Sequence, residues 1–298
     1  MTPPAACVEE APPPCVGHLL GRRGWCFGAA GAAAGGSSGE KALAAGEGAS
    51  PSWDTGAPQV YERARGSVVA VRAVGAKSGK VLGQGTAFVW DEESGVVVTS
   101  FRNVRDAAAG QGEPQRFLVS VPRDAFPKLG AGASWEGEAL LAGTAPSKDV
   151  AVLQLKRASA SGLAGRLTPS RIGTSSDVRV GQSCYALGAG WASGTATLGS
   201  GVVGGLGRAV PSPSGAPVLA LQSDALAPGT GSGGPLLDSA ARVVGMTTAG
   251  YGAGSGGNAG GSGVAFFIPI DLVSAAVPAI LAKASESPQF QDALNARD

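Results

Sequence analysis

Short apolar runs rich in β-branched residues recur along the chain from residue 57 onward, and they predict β-strands. Gly, Pro, Asp or Ser separates successive runs, a spacing that is typical of sandwich or barrel folds. Strands that alternate with helices are not indicated, which argues against an α/β fold. The predicted strands are Ser67–Ala73, Gly85–Trp90, Val96–Ser100, Phe117–Val121, Val150–Leu155, Ser183–Leu187, Leu198–Leu206, Val218–Gln222, Arg242–Thr248 and Gly263–Ile268.

Two segments carry helical patterns. Gln59–Arg65 predicts a short helix ahead of the first strand. Near the C-terminus, apolar residues recur every three or four positions and predict a helix whose apolar face packs on the barrel. Asp271 is placed to cap its start, and Pro278, which lacks an N–H donor, is expected to kink or split it. The apolar face consists of Leu272, Val273, Ala276, Val277, Ile280 and Leu281.

The two ends of the chain differ from the middle. Residues 1–55 are rich in Ala, Gly, Pro and Ser, show no period, and predict a disordered tail or a targeting segment. Arg22 and Arg23 precede a Gly/Ala stretch, so a twin-arginine export signal and a plain low-complexity tail are both open. The predicted domain is 56–285, followed by a flexible tail at 286–298 with no room for a PDZ domain.

Composition narrows the classes of function. Lys and Arg total 23 and Asp and Glu total 22 among 298 residues, and no basic stripe stands out, so no nucleic-acid partner is expected. No long apolar run predicts a membrane span. Four cysteines form no C-x-x-C pair, and His18 is the only histidine, so no metal site and no cofactor are expected. Cys184 is expected to be a small buried hydrophobe.

The strongest chemical signal is Thr-Gly-Ser-Gly-Gly-Pro-Leu at residues 230–236. A nucleophilic serine needs a tight turn in which backbone N–H groups point at a developing oxyanion, and glycine permits the backbone angles. The alternative is an ordinary Gly-Ser loop, of which this chain has many. The ordered Pro-Leu-Leu-Asp that follows, and the predicted strand after it, favour a protease turn around Ser232.

The serine segment, with Asp224-Ala225 before it, resembles the serine turn of the Deg/HtrA (DegP-like) family of trypsin-like proteases. Other stretches are similar to the same family over about residues 59–284, and two of them, 173–184 and 201–208, resemble its short chloroplast lumenal branch, which lacks a PDZ domain. The stretches are 85–91, 148–153, 173–184, 201–208 with 211–213, and 231–239.

This resemblance implies an all-β, two-barrel chymotrypsin/trypsin-like protease fold with a C-terminal helix. It implies a triad in the order His, Asp, Ser, in which Asp149 and Ser232 match. It further implies an oxyanion hole at Thr230, Gly231 and Ser232, and substrate contacts at Thr247, Thr248 and Ala249. The loops 189–194 and 250–263 are expected to border the specificity pocket.

The resemblance also implies a cellular setting. Unfolded or damaged proteins are the expected substrates, homo- or hetero-oligomers with other Deg subunits are the expected assemblies, and the thylakoid lumen of the chloroplast is the expected location.

The histidine of the triad is missing from the expected place. The family histidine follows a strand that ends in Val-Thr, and here Val98-Thr99 is followed at that spacing by Arg102. Arginine stays protonated and has no acceptor, so it cannot take the serine proton. We expect Arg102 to pair with Asp149 through charge-assisted hydrogen bonds, either single or bidentate, and to leave Ser232 idle.

Two further departures lie near the same site. Thr230 and Gly231 stand where the family carries Gly-Asn, and Ala189-Gly190 replaces its Asn-Pro. Two functions therefore stay open: a non-catalytic protease homologue, or an active serine endopeptidase whose base comes from a neighbouring subunit or from a water held by Asp149. A nucleotide binder is disfavoured because the Gly-rich run 250–263 lacks the lysine and the helix of a phosphate loop.

Overall fold

The strands of the chain close into two antiparallel barrels of six strands each. The computed structural model describes residues 56–105, 115–125, 135–157, 159, 167–191, 194–227, 232–248 and 263–295. The predicted tail or targeting segment 1–55 lies outside these residues. Among them, no helix has the length and apolar character needed to cross a membrane.

The first barrel has the strand order β1-β2-β3-β6-β5-β4. Residues alternate between two environments along its strands, as the period of two requires. On β1, Val69 and Val71 face the barrel interior, while Val68 and Ala70 face the second barrel. Its strands are β1 Val68–Gly75, β2 Val81–Asp91, β3 Val96–Ser100, β4 Gln115–Val121, β5 Trp135–Ala145 and β6 Val150–Leu155.

The second barrel has the order β10-β11-β12-β9-β8-β7 and encloses its own core around Phe267 and Leu236. Together the barrels confirm the predicted all-β, two-barrel fold. The strands are β7 Ser183–Ala189, β8 Ala196–Pro211, β9 Pro217–Ser223, β10 Pro235–Leu237, β11 Val243–Thr247 and β12 Ala265–Pro269.

Thr86 on β2 forms hydrogen bonds that join the two barrels. Its side chain is fully buried, and its hydroxyl donates to the Ala189 carbonyl at 3.3 Å and accepts from the Ala189 N–H at 3.0 Å. Ala189 is the last residue of β7. A buried hydroxyl is stable only when its hydrogen bonds are made, so this reciprocal pair fixes the register between the barrels.

The described residues include three α-helices beside the barrels: α1 Ala57–Ala64, α2 Ile270–Ser285 and α3 Pro288–Asn295. The predicted break at Pro278 is wrong, because α2 is one continuous helix. Proline removes one hydrogen bond there, but the fully buried Val277 and Val273 hold the helix on the protein.

Three elements, β5, β10 and α3, are not among the predicted strands and helices. Residues 286–298 are predicted to be a flexible tail, yet α3 forms within them and buries Leu294. Strand β5 is not predicted, because its Gly, Glu and Ala residues have low strand propensity. It forms because it pairs with β4 and β6 and closes the barrel.

Asp271 does not cap its own helix as predicted, since the N-cap of α2 is Pro269 and makes no side-chain cap. Its carboxylate instead ties the first turn of α2 to the loop before β7. It accepts from the N–H groups of Ser175 and Ser176, both at 3.1 Å, and from the Ser175 hydroxyl at 2.7 Å. Partial burial raises the pKa of Asp271, but these hydrogen bonds, with that of Thr174, outweigh it and leave the pKa below its ordinary value.

We expect Asp271→Asn to destabilise the protein by about 1 kcal/mol at neutral pH, since the site is exposed and solvent screens it. A carboxyl whose folded pKa is lowered stabilises the fold above its unfolded pKa of about 3.9, and this contribution is lost as the pH falls through the folded pKa. Urea unfolding at neutral pH and at about pH 3 measures the difference. The matched control is Asp292→Asn, which changes an exposed carboxylate of α3. A difference that persists unchanged at acid pH would contradict the assignment.

Candidate active site

Ser232 lies in a turn immediately before β10, and this turn is clamped against the first barrel. The Ser232 carbonyl accepts from the Thr86 N–H and from the Asn103 side-chain amide, both at 3.0 Å. Gly233 has φ of 92°, and a Cβ there would lie 2.3 Å from the Thr86 carbonyl oxygen. The turn therefore requires glycine after the serine, as the sequence motif indicates.

The Ser232 hydroxyl donates to Oδ1 of Asn103 at 3.0 Å. Nδ2 of the same amide donates to the Thr99 hydroxyl at 2.9 Å and to the Ser232 carbonyl. Asn103 is buried, and its two Nδ2 hydrogen bonds leave Oδ1 as the atom that faces the serine hydroxyl. An amide oxygen accepts hydrogen bonds but is not a base near neutral pH. The serine proton is thus engaged by a group that cannot remove it.

Asp149 is a fully buried carboxylate in the turn between Pro146–Lys148 and β6. It accepts from the Ser100 hydroxyl at 2.9 Å, the Thr248 hydroxyl at 2.5 Å and the Arg102 N–H at 3.3 Å. Its φ of 54° is left-handed, a conformation that aspartate adopts more readily than most residues. Burial raises the pKa of Asp149, and the hydrogen bonds from Thr248 and Ser100 and the charge of Arg102 oppose this shift only in part.

Arg102 contacts Asp149, as the sequence predicts, but the pair is not bidentate. Its Nε lies 3.3 Å from Oδ2 of Asp149, and Nη2 donates instead to the Pro211 carbonyl at 3.1 Å. Pro211 ends β8, so the guanidinium links the two barrels. The side chain is 30% exposed, which leaves the cation partly solvated while its carboxylate partner is fully buried.

The remaining predicted site residues divide into two groups. Thr230, Gly231, Ala249 and the run 250–262 lie outside the described residues. Thr247 pairs with the serine turn through its backbone: its carbonyl accepts from Gly233 N–H and its N–H donates to the Gly234 carbonyl, both at 2.7 Å. The Thr248 hydroxyl is committed to Asp149, so this side chain supports the carboxylate rather than facing a substrate.

Asn103 is the site residue that sequence reasoning misses. No motif marks it, and its only signal is its position directly after Arg102. Gly85 leaves the space in which Asn103 meets the serine turn, because a Cβ there would lie 2.3 Å from the Asn103 amide nitrogen and 2.6 Å from the Ser232 carbonyl oxygen. Within the described part of the chain, no group of His, Cys, Asp and Glu residues could hold a metal ion.

Comparison with known proteins agrees with this architecture. A family model described as a trypsin-like peptidase domain matches residues 85–246, more than half of the chain. Protease Do-like 5, chloroplastic, of Arabidopsis thaliana is 40% identical over 69% of this chain and 59% of its own length. Protease Do-like 1, chloroplastic, of the same plant is 34% identical over 65% of this chain and 38% of its own length.

A solved structure shows the same fold. The crystal structure of Deg5 superposes with a TM-score of 0.58 at 35% identity, covering 76% of this chain and 94% of that one. The chain spans about two fifths to three fifths of the length of the two curated relatives described above. The family match, the two six-stranded barrels and the serine turn between them agree with each other. This chain therefore belongs to the Deg/HtrA family of trypsin-like peptidases.

Proposed function

We propose that this chain is a Deg/HtrA protease homologue that binds polypeptide without cutting it, with Arg102 at the position of the triad histidine. The observation that carries the proposal is the pair of contacts at the site. The Arg102 side chain forms an ion pair with the Asp149 carboxylate, and the Ser232 hydroxyl donates to the amide oxygen of Asn103.

Acyl transfer by a serine requires a base that accepts the hydroxyl proton and returns it to the leaving amine. Arginine keeps its proton throughout the accessible pH range, and an amide oxygen holds no proton near neutral pH. Neither Arg102 nor Asn103 can therefore shuttle a proton. Loss of the base in another serine protease lowers turnover by about a millionfold.

The alternative is an active endopeptidase, and the glycine-flanked turn at Ser232 together with the buried Asp149 carboxylate is the observation that favours it. A water held by Asp149 is a poor source of the base. The carboxylate is fully buried and already accepts from four donors: Ser100, Thr248 and both the backbone and the side chain of Arg102. An active endopeptidase would therefore need a base for Ser232 that a neighbouring subunit supplies.

Purified protein incubated with casein tests the proposal. We expect no hydrolysis above that of Ser232→Ala, and no labelling of Ser232 by a fluorophosphonate probe, because the hydroxyl is not activated. Hydrolysis or labelling that Ser232→Ala abolishes would overturn the proposal and support the active alternative. Repeating the assay over a range of protein concentrations tests for a base supplied in trans, since such activity would rise with oligomerisation.

The setting of this function is part of the proposal. Two relatives are named chloroplastic, which supports a chloroplast location, and Arg22 and Arg23 support export into the thylakoid lumen. There the chain would hold unfolded or damaged protein, alone or in oligomers with other Deg subunits. A fluorescent fusion of the full chain, followed by fractionation of isolated chloroplasts, tests the location.

A further inference from the structure

Arg72 on β1 forms no ion pair with a carboxylate of the described residues. Its guanidinium carbon lies 4.4 Å from the centroid of the Trp191 ring, within the range of a cation–π contact. Its Nε is buried and makes no hydrogen bond to any residue in the described ranges. Four other arginines of the described chain each form an ion pair with a carboxylate: Arg65, Arg102, Arg116 and Arg242.

The position of Arg72 relates it to the serine turn. Arg72 pairs with Gln84 on β2. Gln84 lies between Gly83 and Gly85, and a Cβ on either glycine would come within 2.4 Å of an Asn103 atom. Asn103 holds the Ser232 hydroxyl. Side chains alternate along β2, so Gly83 and Gly85 lie against Asn103, whereas Gln84 and its partner Arg72 lie on the opposite face, where Thr86 contacts Ala189 of the second barrel. The link to the serine turn is Thr86, whose N–H donates to the Ser232 carbonyl at 3.0 Å.

Trp191 reaches Arg72 from the second barrel. It follows β7, whose last residue, Ala189, is bonded to Thr86 on β2. Thr86 pairs with Ala70, two residues before Arg72 on the same face of β1. The Arg72–Trp191 contact therefore lies at the junction of the two barrels, one step along the strand from the hydrogen bonds that join them.

The energetics favour an incoming anion. Desolvation lowers the pKa of Arg72, and the charge of Glu136 opposes this effect, but Glu136 forms no ion pair with it in the structure. A partly desolvated guanidinium that lacks a carboxylate gains more from one than a solvated surface arginine does. Stacking on Trp191 already restricts the side chain, which reduces the entropy lost on binding.

We propose that Arg72, held by Trp191, binds an acidic side chain of a polypeptide that lies along the junction of the two barrels, where Thr86 holds the Ser232 carbonyl. This inference rests on the proposed binding of polypeptide and adds its selectivity. The planar guanidinium offers N–H groups to a carboxylate edge-on while its face stays on the indole ring.

Fluorescence anisotropy with two labelled peptides tests the role of Arg72. Both peptides carry fluorescein and an amidated C-terminus; one is built of Ala, Val and Glu, and the other has Gln in place of each Glu. The wild-type protein is expected to bind the Glu peptide about tenfold more tightly at low salt, as one partly desolvated charged contact predicts, and the preference is expected to shrink as salt rises. Arg72→Gln is expected to remove the preference, and Arg72→Lys to retain part of it. The matched control is Arg179→Gln, an exposed arginine of the loop before β7, which is expected to keep the full preference.

The wild-type measurements alone separate the proposed polypeptide binding from the proposed role of Arg72, so the test does not depend on whether a variant folds. Equal affinity of the wild-type protein for both peptides would overturn the role of Arg72 and leave polypeptide binding intact. Binding of neither peptide would overturn both. A Glu preference that survives in a folded Arg72→Gln protein would assign the selectivity to another residue and so overturn this inference.

Discussion

Arg102→His is expected to give this chain a proteolytic activity about 10²- to 10⁴-fold above that of the natural protein, the contribution typical of a positioned general base. The scaffold for the base is already present. The backbone N–H of residue 102 lies 3.3 Å from Oδ1 of Asp149, and the side-chain Nε lies 3.3 Å from Oδ2. A histidine there would donate its Nδ1–H to Asp149 and present Nε2 as the acceptor for the Ser232 proton.

Activity in Arg102→His requires that the hydrogen bond from the Ser232 hydroxyl to Asn103 breaks. The Ser232 hydroxyl now donates to Asn103, and it must turn to the imidazole. This exchange loses little, because a hydrogen bond to a neutral amide contributes about 1 kcal/mol net and is replaced by another.

Casein hydrolysis and fluorophosphonate labelling measure the gain, with Arg102→His/Ser232→Ala as the control that must stay inactive. Arg102→Lys, which keeps a cation and adds no usable base at this position, is expected to remain inactive as well. A folded Arg102→His protein without hydrolysis or labelling would show that the missing base is not what makes the site idle.

Asp149→Ala is expected to lower the free energy of unfolding by about 2–4 kcal/mol, because it leaves two buried hydroxyl donors without an acceptor and each such donor costs about 1–3 kcal/mol. The change leaves the Ser100 and Thr248 hydroxyls and the Arg102 N–H groups without their acceptor, in a site with no exposed surface at Asp149. Alanine is also less tolerant than aspartate of the left-handed φ of 54° at this residue.

Urea unfolding followed by circular dichroism measures the loss. Asp149→Asn keeps an acceptor oxygen and tolerates the backbone angle, so its loss is expected to be smaller. The matched control is Asp177→Ala, which removes an exposed carboxylate from the loop before β7 and is expected to change stability by less than about 0.5 kcal/mol. A similarly small loss for Asp149→Ala would contradict the network described for this carboxylate.

Much of the fold follows from local patterns. Strands β3 and β6 have the predicted bounds, since each is a short β-branched run that is buried along nearly its whole length. Strand β5 and helix α3 are not predicted. Their residues have weak local preferences, and pairing in the barrel for β5 and burial of Leu294 for α3 supply the stabilisation that the pattern lacks.

The sequence alone identifies both the serine turn and the arginine that follows β3. A nucleophile turn needs glycines at fixed positions, and the absence of a histidine after β3 is visible in the residue order. The Asn103 contact could not be read in this way. Asn103 and Ser232 lie 129 positions apart, and Thr248 and Asp149 lie 99 apart. Only the closure of both barrels brings these polar atoms together.

The sequence by itself determined that this chain is built mainly of short β-strands, carries a glycine-flanked serine turn, and has no histidine except His18. Those properties depend on side-chain shape, backbone angles and residue identity, which act locally. The tertiary structure alone decided that Asn103 holds the serine hydroxyl, that Arg102 divides its N–H groups between Asp149 and Pro211, and that Arg72 stacks on Trp191. Hydrogen bonds and charge contacts act over only a few ångströms, so partners distant in sequence are selected by packing.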